Sequence, residues 1–193
     1  TGIDTKEKKL KLDNGEDLPY EKVVLATGAS SFLPPIENLR TANNVIGLRN
    51  LDDAIRIKEI APKVKNIIIL GAGLVGVDAM AGLLDYDAKV TMIEMGDRIL
   101  PLQLDHYAAN VYIERLKEEG VDFRFNVRAE KVIVDENNNP VAIKLNTGEE
   151  VPGELIIACT GVRSNVGFLE GSGIECDKFG LIFNPKGETN VKD

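Results

Sequence analysis

The stretch Lys65-Asn66-Ile67-Ile68-Ile69-Leu70-Gly71-Ala72-Gly73-Leu74-Val75-Gly76 decides the fold. Asn66 to Leu70 is a short run dominated by β-branched residues, which predicts a strand buried on both faces. Gly71 to Gly76 is a glycine-rich turn, and Leu74 to Tyr86, apolar on most sides, predicts a helix. Lys89 to Glu94 predicts a second buried strand. Together they make a β-α-β unit of about 30 residues, the length such a crossover needs.

Each glycine of the turn has a mechanical role. Gly71 permits the tight turn, Gly73 lets the backbone approach a pyrophosphate, and Gly76 lets the helix pack close to the strands. Leu74, Val75 and Gly76 open the helix, whose unpaired N–H groups and positive dipole end stabilise a diphosphate. Glu94 ends the second strand 23 residues after Gly71, close to the roughly 20 expected of an acid that holds the adenosine ribose. A carboxylate there accepts hydrogen bonds from ribose hydroxyls and repels a 2′-phosphate, so NAD(H) is expected over NADP(H). Arg98, four residues on, is a candidate phosphate contact, outweighed by Glu94 at the deciding position.

Outward from this unit, Leu104 to Glu119 has helical periodicity, with Asp105 near its start and Gly120 as its C-cap. Val121 to Val127 alternates as a half-exposed strand. Lys131 to Asp135 and Val141 to Leu145 read as strands joined by Asn137-Asn138-Asn139-Pro140, and Glu154 to Cys159 as a last buried strand. Upstream, Lys8 to Leu12 reads as a strand, Asp13-Asn14-Gly15 as a turn, and Tyr20 to Ala26 as a second strand buried on both faces. Ser30 to Pro35 reads as irregular. Leu51 to Ile60 reads as a helix with Ala54, Ile55 and Ile57 as its apolar stripe, Asn50 or Asp52 as its cap and Pro62 as its stop. The expected fold is α/β: a Rossmann-like three-layer domain with a parallel sheet and a β-meander over about Lys131 to Val151. The last thirty residues show weaker order, and both ends read as segment boundaries.

Composition narrows the function. Of 193 residues 44% are hydrophobic, enough for one substantial core, and the net charge of −8 disfavours nucleic acid as a partner. No apolar run approaches the roughly 18 residues of a membrane helix. The polar first residues lead to the expectation of no signal peptide. Cys159 and Cys176 form no C-x-x-C or zinc spacing, and His106 is the only histidine, so no metal site is expected and a cytoplasmic setting is. Cys159 reads as a small buried hydrophobe, and Cys176 as structural or incidental.

Two further pieces carry a resemblance. Val24-Leu25-Ala26-Thr27-Gly28-Ala29 and Ile157-Ala158-Cys159-Thr160-Gly161 are apolar strands ending in Thr-Gly, one on each side of the glycine-rich unit. With Asp13 to Ile36, Leu48 to Lys58 and Val90 to Pro101, they make the chain resemble the two-dinucleotide-binding flavoproteins. These are the FAD-dependent pyridine nucleotide-disulfide oxidoreductases, which include NADH oxidases, NADH-dependent nitrite reductases and rubredoxin reductases. Ser30-Ser31 departs from the Arg-Pro often found after the first Thr-Gly.

The resemblance implies an NAD(H)-binding domain at 41–162, flanked by partial FAD-domain segments at 1–40 and 163–193. It implies hydride transfer from NADH to FAD and onward to an unidentified acceptor, with no catalytic acid or base in this chain. Thr27 and Gly28 would lie on the flavin side, and Ala129, at the end of the third strand, would border the adenine. Thr160 and Gly161 would approach the nicotinamide. Asp78 matches a position where many members carry a Glu near nicotinamide and flavin, one methylene longer. The FAD fingerprint and any redox cysteine would precede residue 1, and a dimer-forming domain would follow residue 193, leaving a homodimer open. The chain alone would then bind NADH without turnover. An NAD-sensing regulatory module is the alternative, disfavoured by the paired Thr-Gly strands. A simple dehydrogenase finds no Tyr-x-x-x-Lys pair and no suitably placed histidine.

Overall fold

In the computed structural model, which describes residues 2–192, Asn66–Leu70 is a strand over its whole length. It lies at the centre of a five-stranded parallel sheet. In chain order the elements around it are β1 (Val45–Gly47), α1 (Leu51–Ile60), β2 (Asn66–Leu70), α2 (Leu74–Ala81), β3 (Lys89–Ile93), α3 (His106–Glu118) and β4 (Asp122–Arg124). There follow β5 (Ala129–Val134), β6 (Pro140–Leu145), β7 (Glu150–Pro152) and β8 (Leu155–Ala158). The sheet order is β1-β8-β2-β3-β4, and β5, β6 and β7 form a separate antiparallel meander.

Alternation along the central strands creates the layers. Ile67, Ile69, Val90, Met92, Leu155 and Ile157 share one core with Ile57, Met80 and Ile113 of the three helices. Ile68, Leu70, Ile93 and Ile156 point the other way, into a core with Val132, Ile143, Leu145 and Val151 of the meander. Met80, the large side chain that α2 buries, contributes about 1.5–3 kcal/mol. That outweighs the roughly 1 kcal/mol that Gly76 costs α2 in helix propensity. Packing on the sheet, and not propensity, therefore holds α2.

α1 begins at a reciprocal cap. The Asn50 side chain accepts from the Asp53 N–H at 3.0 Å, and the Asp53 carboxylate accepts from the Asn50 N–H at 3.1 Å. Asn50→Ala is expected to cost about 1 kcal/mol, read as a lower urea midpoint; an unmoved midpoint contradicts this account of the helix start. Only Ile57 of the expected stripe is buried; Ala54 and Ile55 are exposed, because the ten-residue helix meets the core along one narrow edge. α2 stops at Ala81 instead of Tyr86. At Gly82 the chain tightens into turns, with Leu83 N–H donating to the Met80 carbonyl and Tyr86 N–H to that of Leu83. α3 starts two residues later than expected, where Asp105 accepts from the Ala108 N–H, and ends as Gly120 takes φ +89°. Ala129 opens the meander and does not close the third strand of the sheet.

Contacts divide the described residues into two units, 31–161 on one hand and those up to Ser30 with those from Val162 onward on the other. Residues 31–40, expected in the first flanking segment, pack with the larger unit. Leu39 is fully buried in the meander-side core, and Lys131 pairs with Glu37 at 2.8 Å. Thr1 and Asp193, the outermost residues of the two flanking segments, lie outside the described residues.

In the smaller unit, Gly2–Asp4, Lys9–Lys11 and Asp17–Pro19 form an antiparallel sheet, and the Thr5 hydroxyl donates to the Ser172 carbonyl at 2.6 Å. The expected strand Tyr20–Ala26 is absent; Asp17–Pro19 pairs in its place, and Val24 is 88% exposed. Tyr20 N–H still donates to the Lys8 carbonyl at 2.9 Å, but a strand needs a continuous ladder for its backbone groups, and among the described residues 20–26 belongs to no strand. Ser30 and Ser31, expected to be irregular with the residues up to Pro35, fall in a strand, Ala29–Ser31, that pairs with Val162–Ser164. No helix of the described residues is long and apolar enough to cross a membrane.

Candidate functional site

The carboxyl ends of β2, β3 and β8 converge on Gly71, Glu94 and Cys159. Gly71 N–H donates to the Ile93 carbonyl and Cys159 N–H to the Leu70 carbonyl, each at 2.8 Å. Gly71 has φ +99°, and a Cβ there would stand 2.5 Å from the Cys159 carbonyl oxygen. A Cβ on Gly76 would collide with the Gly71 carbonyl oxygen. Both residues are therefore glycine for reasons internal to the fold.

Gly73 is different. Its φ of −78° suits any residue, and a Cβ there meets nothing within 4 Å. The fold leaves open space in front of this backbone, and Gly73 begins α2 with no side-chain cap over the first-turn amides. Leu74 and Val75 are exposed at that turn. Backbone that could carry a side chain but presents bare N–H groups at a helix start suits an anion brought in from outside.

Glu94 is tied to the same turn. Its Oε2 accepts from the Ala72 N–H at 2.8 Å and its Oε1 from the Gly96 N–H at 2.7 Å. Each carboxylate oxygen keeps a further lone pair for another donor. The Ala72 carbonyl in turn accepts from the Leu100 N–H at 2.8 Å.

These groups open on a cavity of about 690 Å³, within the 300–1,000 Å³ usual for small-molecule sites. Of the residues singled out in the sequence, Gly71, Gly73, Glu94, Ala129 and Thr160 line it. The sequence reading missed Pro35, Ile36, Met95, Val127, Arg128 and Cys159 as walls. Met95 next to Glu94 and Val127-Arg128 before Ala129 were the available signals. Leu74, Val75 and Gly76 stand at the helix start beside the cavity lining without forming part of it. Asp78 is exposed one turn further along α2, and the cavity wall does not include it.

The two Thr-Gly pairs are held differently. The Thr160 hydroxyl donates to the Phe32 carbonyl at 2.6 Å, and Phe32 N–H donates to the Gly161 carbonyl at 2.9 Å. Gly161 takes φ +94°. Thr27 and Gly28 belong to the smaller unit. There the Thr27 hydroxyl donates to the Asn165 carbonyl at 2.8 Å and Asn165 N–H to the Gly28 carbonyl at 3.0 Å.

Arg98 is already committed. Its guanidinium donates to the carbonyls of Leu104 at 3.2 Å and Pro101 at 3.2 Å and to the Asp97 carboxylate at 2.8 Å. Cys159 lies against Gly76, and burial pushes its thiol up to about 12. Only a thiolate reacts readily. A disulfide reagent at pH 8 is therefore expected to modify exposed Cys176 alone, and both cysteines after unfolding; two rapid equivalents on folded protein contradict this. Among the described residues, no group of three or more His, Cys, Asp or Glu is placed to hold a metal ion.

Comparison with known proteins adds four findings. A family model described as pyridine nucleotide-disulphide oxidoreductase matches residues 1–193. The chain is 30% identical to the NADH-dependent phenylglyoxylate dehydrogenase subunit epsilon of Aromatoleum evansii, over 94% of this chain and 42% of that protein. It is 29% identical to an NADH oxidase of Methanocaldococcus jannaschii, over 98% of this chain and 43% of that one. The chain thus spans less than half the length of these curated relatives. Among solved structures it is similar to a NAD-dependent persulfide reductase from A. fulgidus, with a TM-score of 0.83 at 30% identity, over 92% of this chain and 33% of that one.

Proposed function

The chain belongs to the pyridine nucleotide-disulphide oxidoreductase family, and from that premise we propose that its larger unit binds NADH and, in the whole protein, presents the nicotinamide to FAD. The observation that carries this reading is the pairing of Gly73, whose front is open, with Glu94, whose carboxylate is fixed on the neighbouring Ala72 amide at 2.8 Å. One side of the turn offers amides to a diphosphate and the other offers a carboxylate to a sugar diol, within one cavity.

When bound, the dinucleotide supplies a hydride to the flavin. The rest of the work falls to this chain. The α2 start and the turn from Gly71 to Gly76 hold the diphosphate. Glu94 accepts from the ribose hydroxyls and repels a 2′-phosphate. Arg98 has its guanidinium engaged within its own loop, on Leu104, Pro101 and Asp97. Ala129 borders the adenine, and Thr160 and Gly161, fixed on Phe32, stand toward the nicotinamide half. Thr27 and Gly28 lie toward the flavin. Asp78 is the acidic residue we place nearest the nicotinamide and flavin. Orientation and exclusion of water are what hydride transfer asks of the protein, so no acid or base is assigned. In the whole protein the electrons would then go to an acceptor.

The chain by itself is expected to bind NADH without oxidising it. NADH fluorescence should change on titration, and an artificial electron acceptor added afterwards should leave the absorbance at 340 nm constant. Steady NADH oxidation by the chain alone overturns the division of labour between NADH unit and flavin.

A further inference from the structure

We propose that Arg98 is a positioning residue for the dinucleotide: through the loop 95–104 it sets the placement of the Gly71–Gly76 turn and of Glu94. The inference rests on the reading of the cavity as an NADH site. Three sets of distances carry it. The loop turns back on itself, and Arg98 closes it from within, bonding Leu104 and Pro101 carbonyls and the Asp97 carboxylate with a side chain only 20% exposed. The closed loop holds Leu100 at φ +48°, a conformation disfavoured for a side-chain-bearing residue. Leu100 spends that conformation on one bond to the turn, its N–H donating to the Ala72 carbonyl at 2.8 Å.

Ala72 is the shared member. Its carbonyl is fixed by the loop and its N–H by Glu94 Oε2 at 2.8 Å, while Oε1 of the same carboxylate is fixed by Gly96 of the loop at 2.7 Å. The turn, the acid and the loop therefore form one closed circuit of hydrogen bonds. Fully buried Ile99, next to Arg98, anchors the loop in the helix-side core. Arg98 itself need not touch a ligand. Without its fork, Leu100 relaxes from the left-handed region, the Ala72 carbonyl loses its donor, and the carboxylate and turn amides lose their mutual register. A lysine cannot replace the fork, because one ammonium cannot span two carbonyls and a carboxylate in these directions.

The test uses the purified chain with Arg98→Met, which keeps length and apolar stem, and Arg98→Lys, which keeps the charge. Two readouts are taken: NADH dissociation constants by fluorescence, and amide signals of Ala72, Gly96 and Leu100 in the free protein by nitrogen-15 NMR. Arg98→Met should weaken NADH roughly tenfold to a hundredfold, as loss of a supporting shell does elsewhere, and should shift all three amides. Arg98→Lys should recover only part of both. A merely structural arginine would lower thermal stability and leave the folded variant's affinity and those three amides alone; that outcome overturns the proposal. If Arg98→Met does not fold, Arg98→Lys decides by the same two readouts. If wild type binds no NADH, the reading of the site fails. The amide shifts in the free protein then still decide whether Arg98 sets the turn.

Discussion

Gly73→Ser should leave the protein as stable as before or raise its stability by a few tenths of a kcal/mol, and at the same time should weaken NADH binding by about tenfold to a hundredfold. Gly73 is the N-cap of α2, with an extended backbone and an empty space where a side chain would go. Serine is a better N-cap than glycine by a few tenths of a kcal/mol, because its oxygen accepts a first-turn amide. Those amides are the groups we assign to the diphosphate. A hydrogen bond to a charged partner is worth about 1.5–3 kcal/mol, and each 1.4 kcal/mol is about tenfold in affinity. One substitution thus moves stability and binding in opposite directions, which thermal melting and fluorescence titration on the same samples would register.

The neighbouring glycine supplies the control. Gly76→Ala puts a methyl group into the Gly71 carbonyl oxygen. That contact is backbone, and no rotamer relieves it, so the cost should sit near the top of the overpacking range, about 3 kcal/mol. For a unit of this size that is a fall of about 10 °C in Tm. Equal melting temperatures for Gly73→Ser and Gly76→Ala would mean that the two glycines are not divided between ligand and fold.

Glu94→Ala is the second large effect. It removes the acceptor of the Ala72 and Gly96 amides and should cost about 1–3 kcal/mol of stability through a buried unpaired donor. It should also raise the NADH dissociation constant about tenfold to a hundredfold while leaving NADPH affinity nearly unchanged, so that the preference between the two shrinks. Glu94→Gln, which keeps one acceptor oxygen, should recover most of the stability without restoring the preference. Retained discrimination in both variants would move the specificity away from this carboxylate.

The β-α-β core was legible in the sequence because each of its signals is local. Ile67 to Leu70 alternate between two cores and so are apolar throughout, and Gly71 and Gly76 are glycine because neighbouring backbone leaves no room. Val23 to Ala26 carries the same apolar signature and forms no strand. Apolarity records a tendency to be buried, whereas a strand also requires a partner, which local sequence does not specify. Asp78 is expected near nicotinamide and flavin from its position in a motif, and the structure shows it exposed one turn along α2, outside the cavity wall. The cavity walls at Pro35, Ile36 and Arg128 come from segments far from the glycine turn, brought there by the meander, and no spacing rule reaches them. Arg98 is a candidate phosphate contact by sequence, outweighed by Glu94, because sequence displays its charge and hides the carbonyls of Pro101 and Leu104 that accept from it.

The most direct measurement of the central claim is a pair of calorimetric titrations on the folded chain, NADH in one and NADPH in the other. Saturable heat at one NADH per chain, with NADPH binding at least about tenfold more weakly, is the predicted result. Folded protein that takes up neither dinucleotide would contradict it.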